Sequence, residues 1–561
     1  MNLRVNLLAI VVLSICASCA QAQFDTVINL PEDPGNPNPS EFSGNSIGNS
    51  QGISSDTQLN VSDGGSVGSL FSAGRRDSSN TNTEVNILGG TVGSGFDAND
   101  GSTINISGGT VGNSFDASDG STINISGGTI GNSFDASDGS TINISGGTIG
   151  SFFDANSGST VDISGGEIGA AFDANGGSTV NISGGTFGDF FDAFSGSTVN
   201  ISGGTFGNTF DALSGSTVNI SGGDFVLNNR AIDASSPVTL NDGDVFTGTL
   251  EDGSAFIFST LNSDRLTGVN LIETSTPTAN TTPQSINTSS ALRSIRAGQT
   301  LTVQAGGELG DGFSAVDATF NVEAGSVGDE VEVARTQLNI SGGTVGERLI
   351  ASSSTINISG GNTGEAFEAF NSTVNITGGE VGRDFNASDS TVTITGGEIG
   401  IAFNANSGSN VNISGGTVDF GFNANDGSTV NISGGSFGRN FDAEDGSIVN
   451  INGVTFGNEF DARNGSNVTI SSGAFDEDFN AFSGSTVNIS GGTFGSEFEA
   501  FEGSTVSLFG GDFTLNNSAI TDTSSPFTLS DGDVFTGTLE DGSSFIFSTR
   551  SSDNLSGVNL I

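Results

Sequence analysis

Residues 101–119 read GSTINISGGTVGNSFDASD and residues 120–138 read GSTINISGGTIGNSFDASD, so nineteen positions contain one conservative change. The paired glycines keep the interval: Gly89-Gly90, Gly108-Gly109, Gly127-Gly128, Gly146-Gly147, Gly165-Gly166, Gly184-Gly185, Gly203-Gly204 and Gly222-Gly223 stand nineteen apart. A fixed period of this length marks a repeat architecture, in which each unit buries its apolar face only against its neighbours.

Within one unit, Thr103-Ile104-Asn105-Ile106-Ser107 alternates polar and apolar, the period of a strand with one buried face. Ile104 and Ile106 point inward, and Thr103, Asn105 and Ser107 outward. Gly108-Gly109 predicts a corner, Thr110-Val111-Gly112 a second short strand, Phe115-Asp116-Ala117 a third, and Asp119-Gly120 a turn back. Three short strands and three corners make one rung of an all-β parallel β-helix solenoid. Rungs stack at roughly 4.8 Å, the spacing of paired strands, and Phe115, Phe134, Phe153 and Phe172 form an inward column.

The chain carries this pattern twice. Residues 1–22, with Arg4, an apolar run and Ala20-Gln21-Ala22, read as a signal peptide. Cys16 and Cys19, the only cysteines, offer a lipoprotein reading, with lipid attachment at one of them, as the alternative. Proline-rich residues 23–50 read as a linker, residues 51–223 as the first array, and residues 224–272 as a hairpin cap module with Asn-Asp-Gly and Glu-Asp-Gly turns. Residues 273–290 form a second linker, 291–511 a second array, and 512–561 a second cap that repeats the text of the first. A solenoid end exposes core and strand edges, so a cap is physically required. The second array begins with an eighteen-residue interval, and a lost residue is tolerable only at a turn, because inside a strand it would flip every later side chain.

The SxVNISGGTFG pattern at residues 197–207 and 485–495 resembles the β-helix proteins of bacterial surfaces, including the passenger domains of autotransporter adhesins. The resemblance covers both arrays and implies a right-handed parallel β-helix displayed outside the cell. It carries no specific activity, because folds host many functions. The chain departs from autotransporters in showing no C-terminal run of barrel strands.

Composition excludes several partners. The formal charge is -50, all 13 basic residues are Arg, and His, Tyr and Trp do not occur. Nucleic acid binding needs clustered cations, and no apolar run after the leader approaches the length of a membrane span.

Because the period is constant, each outward residue becomes a ladder. Thr103, Thr122 and Thr141 with Asn105, Asn124 and Asn143 form a hydroxyl and amide face, read as a structural ladder that could also meet polysaccharide, a surface or ice. Asp97, Asp116, Asp135, Asp154 and Asp173 form an acidic column whose repulsion requires relief. Ca²⁺ is one candidate, at Asp97 with Asp100, Asp116 with Asp119, Asp135 with Asp138 and Asp442 with Asp445, where two carboxylates flank a tight turn. The second array mixes Glu368, Asn386, Asn404 and Asn423 into the same column, which argues against a strict ion site. Ca²⁺ is the one cofactor the sequence offers, and none is certain. The functional expectation is a secreted or cell-surface, non-catalytic protein making repetitive contacts with an extracellular surface, a polysaccharide or itself. The alternatives are a polysaccharide lyase or hydrolase, for which Arg75, Arg76 and Arg335 are the irregular cations, and an ice-binding or calcium-binding solenoid.

Overall fold

The computed structural model describes residues 24–31, 45–74 and 82–561, so the leader, its cysteines and Arg75-Arg76 lie outside the described residues. The fold is an all-β parallel solenoid of rungs about nineteen residues long, and no α-helix occurs among the described residues. No helix there is long and apolar enough to cross a membrane. The chain divides into two units, residues 1–199 with 215–217 and residues 200–214 with 218–561.

In the first unit, long strands pair in parallel and in register, Thr103–Ile106 on Thr122–Ile130 and that on Thr141–Ile149. Short strands do the same on a second sheet, Phe96–Ala98 on Phe115–Ala117 on Phe134–Ala136. The Phe rings of that sheet stack face to face, with Phe115 and Phe134 centroids 4.7 Å apart at 2°. These rings, Ile104, Ile106 and Val111 are all buried.

Two expectations change. The first two strands of a rung are one nine-residue strand in most regular copies, and the glycine pair is a β-bulge inside it, not a corner. The glycines are needed because rungs approach closely: a Cβ at Gly127 would lie 2.5 Å from Ser107 O. Solenoid strands also begin earlier than the first linker allowed, since Thr26–Leu30 pairs with Thr57–Val61 and Ser46–Ile47 with Ser66–Val67. Within 273–290, Gln284–Ile286 and Ser289–Ser290 are likewise strands of the second array. These strands satisfy backbone groups by pairing with the next rung, despite a linker-like composition around them.

In the second unit the shortened rungs lose their residue at the turn. Asp389, in left-handed backbone, passes directly to Ser390, whereas the nineteen-residue rung has Ser407-Gly408, yet Phe385 still pairs with Phe403 and Thr391 with Asn410. Each cap is a hairpin inserted into a last rung. Val245–Leu250 and Ala255–Ser259 run antiparallel, then Arg265–Leu266 and Asn270–Glu273 return parallel to Phe210–Ala212 and Thr217–Leu227. Gly510–Leu515, Val534–Leu539 and Ser544–Ser548 repeat the antiparallel sheet at the other end. One buried carboxylate fastens each cap. Asp264 accepts from Phe210 N and Ser259 N at 2.7 Å each, and Asp553 from Phe498 N at 2.9 Å and Ser548 N at 2.7 Å.

Candidate functional site

The hydroxyl and amide face lies on the long-strand sheet. Thr103, Thr122 and Thr141 are in register, and so are Asn105, Asn124 and Asn143. Each Asn donates to the one before it: Asn124 Nδ2 to Asn105 Oδ1 at 2.8 Å, Asn143 to Asn124 at 2.9 Å. The second array repeats this with Asn357 to Asn339 and Asn375 to Asn357, both at 2.9 Å. Where the ladder runs unbroken, each amide commits one N–H to it, so the face is ordered by its own bonds at a fixed repeat.

The acidic column occupies the short-strand sheet, with Asp116, Asp135, Asp154, Asp173 and Asp192 in register. The carboxyls of Asp135, Asp154 and Asp173 are raised above the ordinary range, first by burial and then by the charge of the next Asp. The raised carboxyls take up protons more readily than ordinary ones, which eases the repulsion as pH falls. The second array avoids it by carrying Asn in the same column, for Asn404 donates to Asn386 and Asn423 to Asn404 at 2.7 Å.

The pH sign follows from these raised carboxyls. Their contribution to stability is fully present below the unfolded Asp range and is lost as pH rises through the folded value. Asp154→Asn is expected to raise the melting temperature at pH 7 and to leave it unchanged near pH 3. Thermal melts at the two pH values check this.

Asp100, Asp119, Asp138 and Asp445 sit three residues beyond the column residues Asp97, Asp116, Asp135 and Asp442, at φ of 48°, 51°, 48° and 46°. A short polar side chain tolerates that left-handed backbone, so turn chemistry accounts for these aspartates. Among the described residues no three or more carboxylates, thiols or imidazoles gather as a metal-holding group.

Two arginines of the second unit have structural partners. Arg335 holds Asp317 through Nε at 2.9 Å and Nη2 at 2.7 Å and donates to Thr247 of the first cap at 2.9 Å. Arg463 pairs with Asp461 and Glu444 and lies 5.0 Å from the Phe482 ring centroid. Beside it, burial lifts Asp442 to about 6 against the pull of the guanidinium.

Three features were not anticipated. Phe152 and Phe190, two rungs apart, hold exposed rings at left-handed φ of 65° and 63°, unusual for bulky residues. A groove of about 330 Å³ in the second array is lined by Glu365, Glu380, Arg383, Glu398 and Asp419. Glu380 and Glu398 are in register there and replace the Thr of other rungs, a substitution that was readable from the repeat. The third is the buried Glu332 beneath the first cap.

No protein-family model matches this chain, and comparison with curated proteins finds no match.

Proposed function

We propose that this chain is a secreted or cell-surface solenoid, comparable to the adhesive passengers it resembles, that makes repeated non-catalytic contacts with an extracellular polysaccharide or surface. The observation that carries the reading is the in-register hydroxyl and amide face, pre-ordered by its own amide ladder. A polymer of regular spacing would meet many identical rungs, and multivalency converts weak single contacts into avidity. The exposed Phe152 and Phe190 rings add apolar surface on which sugar rings can stack. The large negative charge favours neutral or cationic polymers over anionic ones.

A glycan array, read with and without Ca²⁺, tests the reading. Binding to a neutral or cationic polysaccharide is expected, with at least a tenfold loss for the combined Thr122→Arg, Thr141→Arg and Thr160→Arg variant. Failure to bind any polysaccharide or matrix surface would remove the proposal.

A second reading, a polysaccharide lyase or hydrolase, draws on the acidic groove at Glu380 and Glu398. Acid-base catalysis needs two carboxyls held at different protonation. The pair stands at equivalent positions of adjacent rungs, an arrangement better suited to holding a chain than to cleaving it. New reducing or unsaturated ends from a polysaccharide, lost in Glu398→Gln, would favour the enzyme.

A further inference from the structure

The two caps share most of their text, VFTGTLEDGS at 245–254 and at 534–543, but one of their faces is treated oppositely. In the first cap it is covered by the start of the second array. Thr247 is 0% exposed, Thr249 4% and Ala255 3%. Ala255 N donates to Ser294 Oγ at 3.2 Å, Asn229 to Ser353 at 2.7 Å and Arg348 to Asn262 at 3.1 Å. The covering rungs depart from the repeat to do this, since their outward positions carry Ser314, Val316, Ala334 and Ile350 in place of Asp or Asn.

In the second cap the same face is uncovered. Thr536 and Thr538 are half-buried, Ser544 is exposed and Ile546 is 67% exposed. Ile546 is exposed where its counterpart Ile257 is half-buried, so the two copies of this face differ in what covers them.

The start of the first array matches what covers the duplicate. Its second rung reads Phe71-Ser72-Ala73 where the second array reads Phe313-Ser314-Ala315. Both arrays open their short-strand sheet with small neutral outward residues, Gly52 and Ser72 in one, Ser294 and Ser314 in the other. Leu70, 63% exposed, stands immediately before Phe71, where Gly312 stands before Phe313 in the second array. The second cap is acidic overall, and Arg550, where the first cap has Leu261, is the one cation it can turn toward the acidic column that continues from Ser72 at Asp97, Asp116 and Asp135.

We propose that the second cap of one copy docks on the first rungs of the first array of a second copy, reproducing between molecules the contact that the first cap makes with the second array. The contact is head-to-tail and leaves a free cap and a free array start after every addition. Such heterologous contacts grow open-ended assemblies unless the geometry closes a ring.

Sedimentation velocity and light scattering of the full chain across concentration are expected to show species that keep growing beyond two copies. Ile546→Asp and Arg550→Glu should each shift assembly to at least tenfold higher concentration. Both residues are exposed, so unchanged melting curves separate lost docking from lost folding. Ser72→Cys with Ser544→Cys should give disulfide-linked multimers, with neither single variant forming a ladder. A chain that stays monomeric at the highest soluble concentration, that stops at dimers through paired second caps, or that assembles equally well as both variants overturns the proposal.

Discussion

Gly128→Ala is expected to destabilise the first array by about 3 kcal/mol or more, and Gly120→Ala by only about 1 kcal/mol. The two glycines have nearly the same backbone, φ of 82° and 75°, so the strain of placing an L side chain in left-handed backbone is shared. They differ in what a Cβ would meet. At Gly128 it would lie 2.8 Å from Gly108 O and 3.0 Å from Gly109 O, backbone atoms of the rung beneath, while at Gly120 nothing lies within 4 Å. Relieving the first contact means separating two rungs and weakening the parallel pairing of Thr122–Ile130 with Thr103–Ile106 and Thr110–Val111. Chemical denaturation of the two variants measures the difference, and hydrogen exchange should localise the Gly128→Ala defect to residues 103–149. Equal costs would show that rung spacing relaxes freely and that glycine serves only the turn.

Glu332→Gln is expected to stabilise the protein at pH 8 by about 2 kcal/mol and to have little effect at pH 4. Glu332 is buried beneath the first cap, and its Oε1 has no hydrogen-bond partner. Burial, then the nearby Asp264 carboxyl, drives its pKa well above the ordinary range, against the attraction of Arg348. Asp264 is itself raised to about 8, by burial first, in spite of the two backbone N–H groups it accepts. A raised folded pKa means that the native state binds the extra protons. Their contribution is complete below the unfolded carboxyl range and is lost as pH rises through the folded value, for Asp264 between about 4 and 8. The wild-type chain should therefore lose stability across that window, and Glu332→Gln, neutral throughout, should flatten the profile. A denaturation midpoint that rises from pH 4 to 8 equally in both proteins would contradict this account.

The Asp and Asn columns show how one geometry takes two chemistries. The same outward position is Asp135, Asp154 and Asp173 in the first array and Asn386, Asn404 and Asn423 in the second. Stacked carboxyls repel and are pushed up in pKa, whereas stacked amides supply their own donors. The mixture that made a strict ion site hard to read from sequence is thereby consistent with a ladder whose members need only satisfy one another.

Much was legible in the repeat itself. The alternation in Thr103-Ile104-Asn105-Ile106 determined which side chains point inward, because a strand has no other period, and the constant interval determined that equal residues stack. The parallel solenoid, the Phe stack, the amide ladder and the turn placement of the missing residue all follow from those two facts. What the linear text left open concerned contacts with no period. Thr26–Leu30 became a strand because Thr57–Val61 offered it an edge, although its surroundings are rich in proline and asparagine. The glycine pair became a bulge because the neighbouring rung lies within van der Waals reach. Glu332, Arg335 and Arg348 took their environments from a cap some 70 to 90 residues earlier in the chain, and such long-range burial leaves no local signature. The repeat set the solenoid by itself. Only the tertiary structure decided which face of which cap is covered, because covering depends on a surface brought in from elsewhere in the fold.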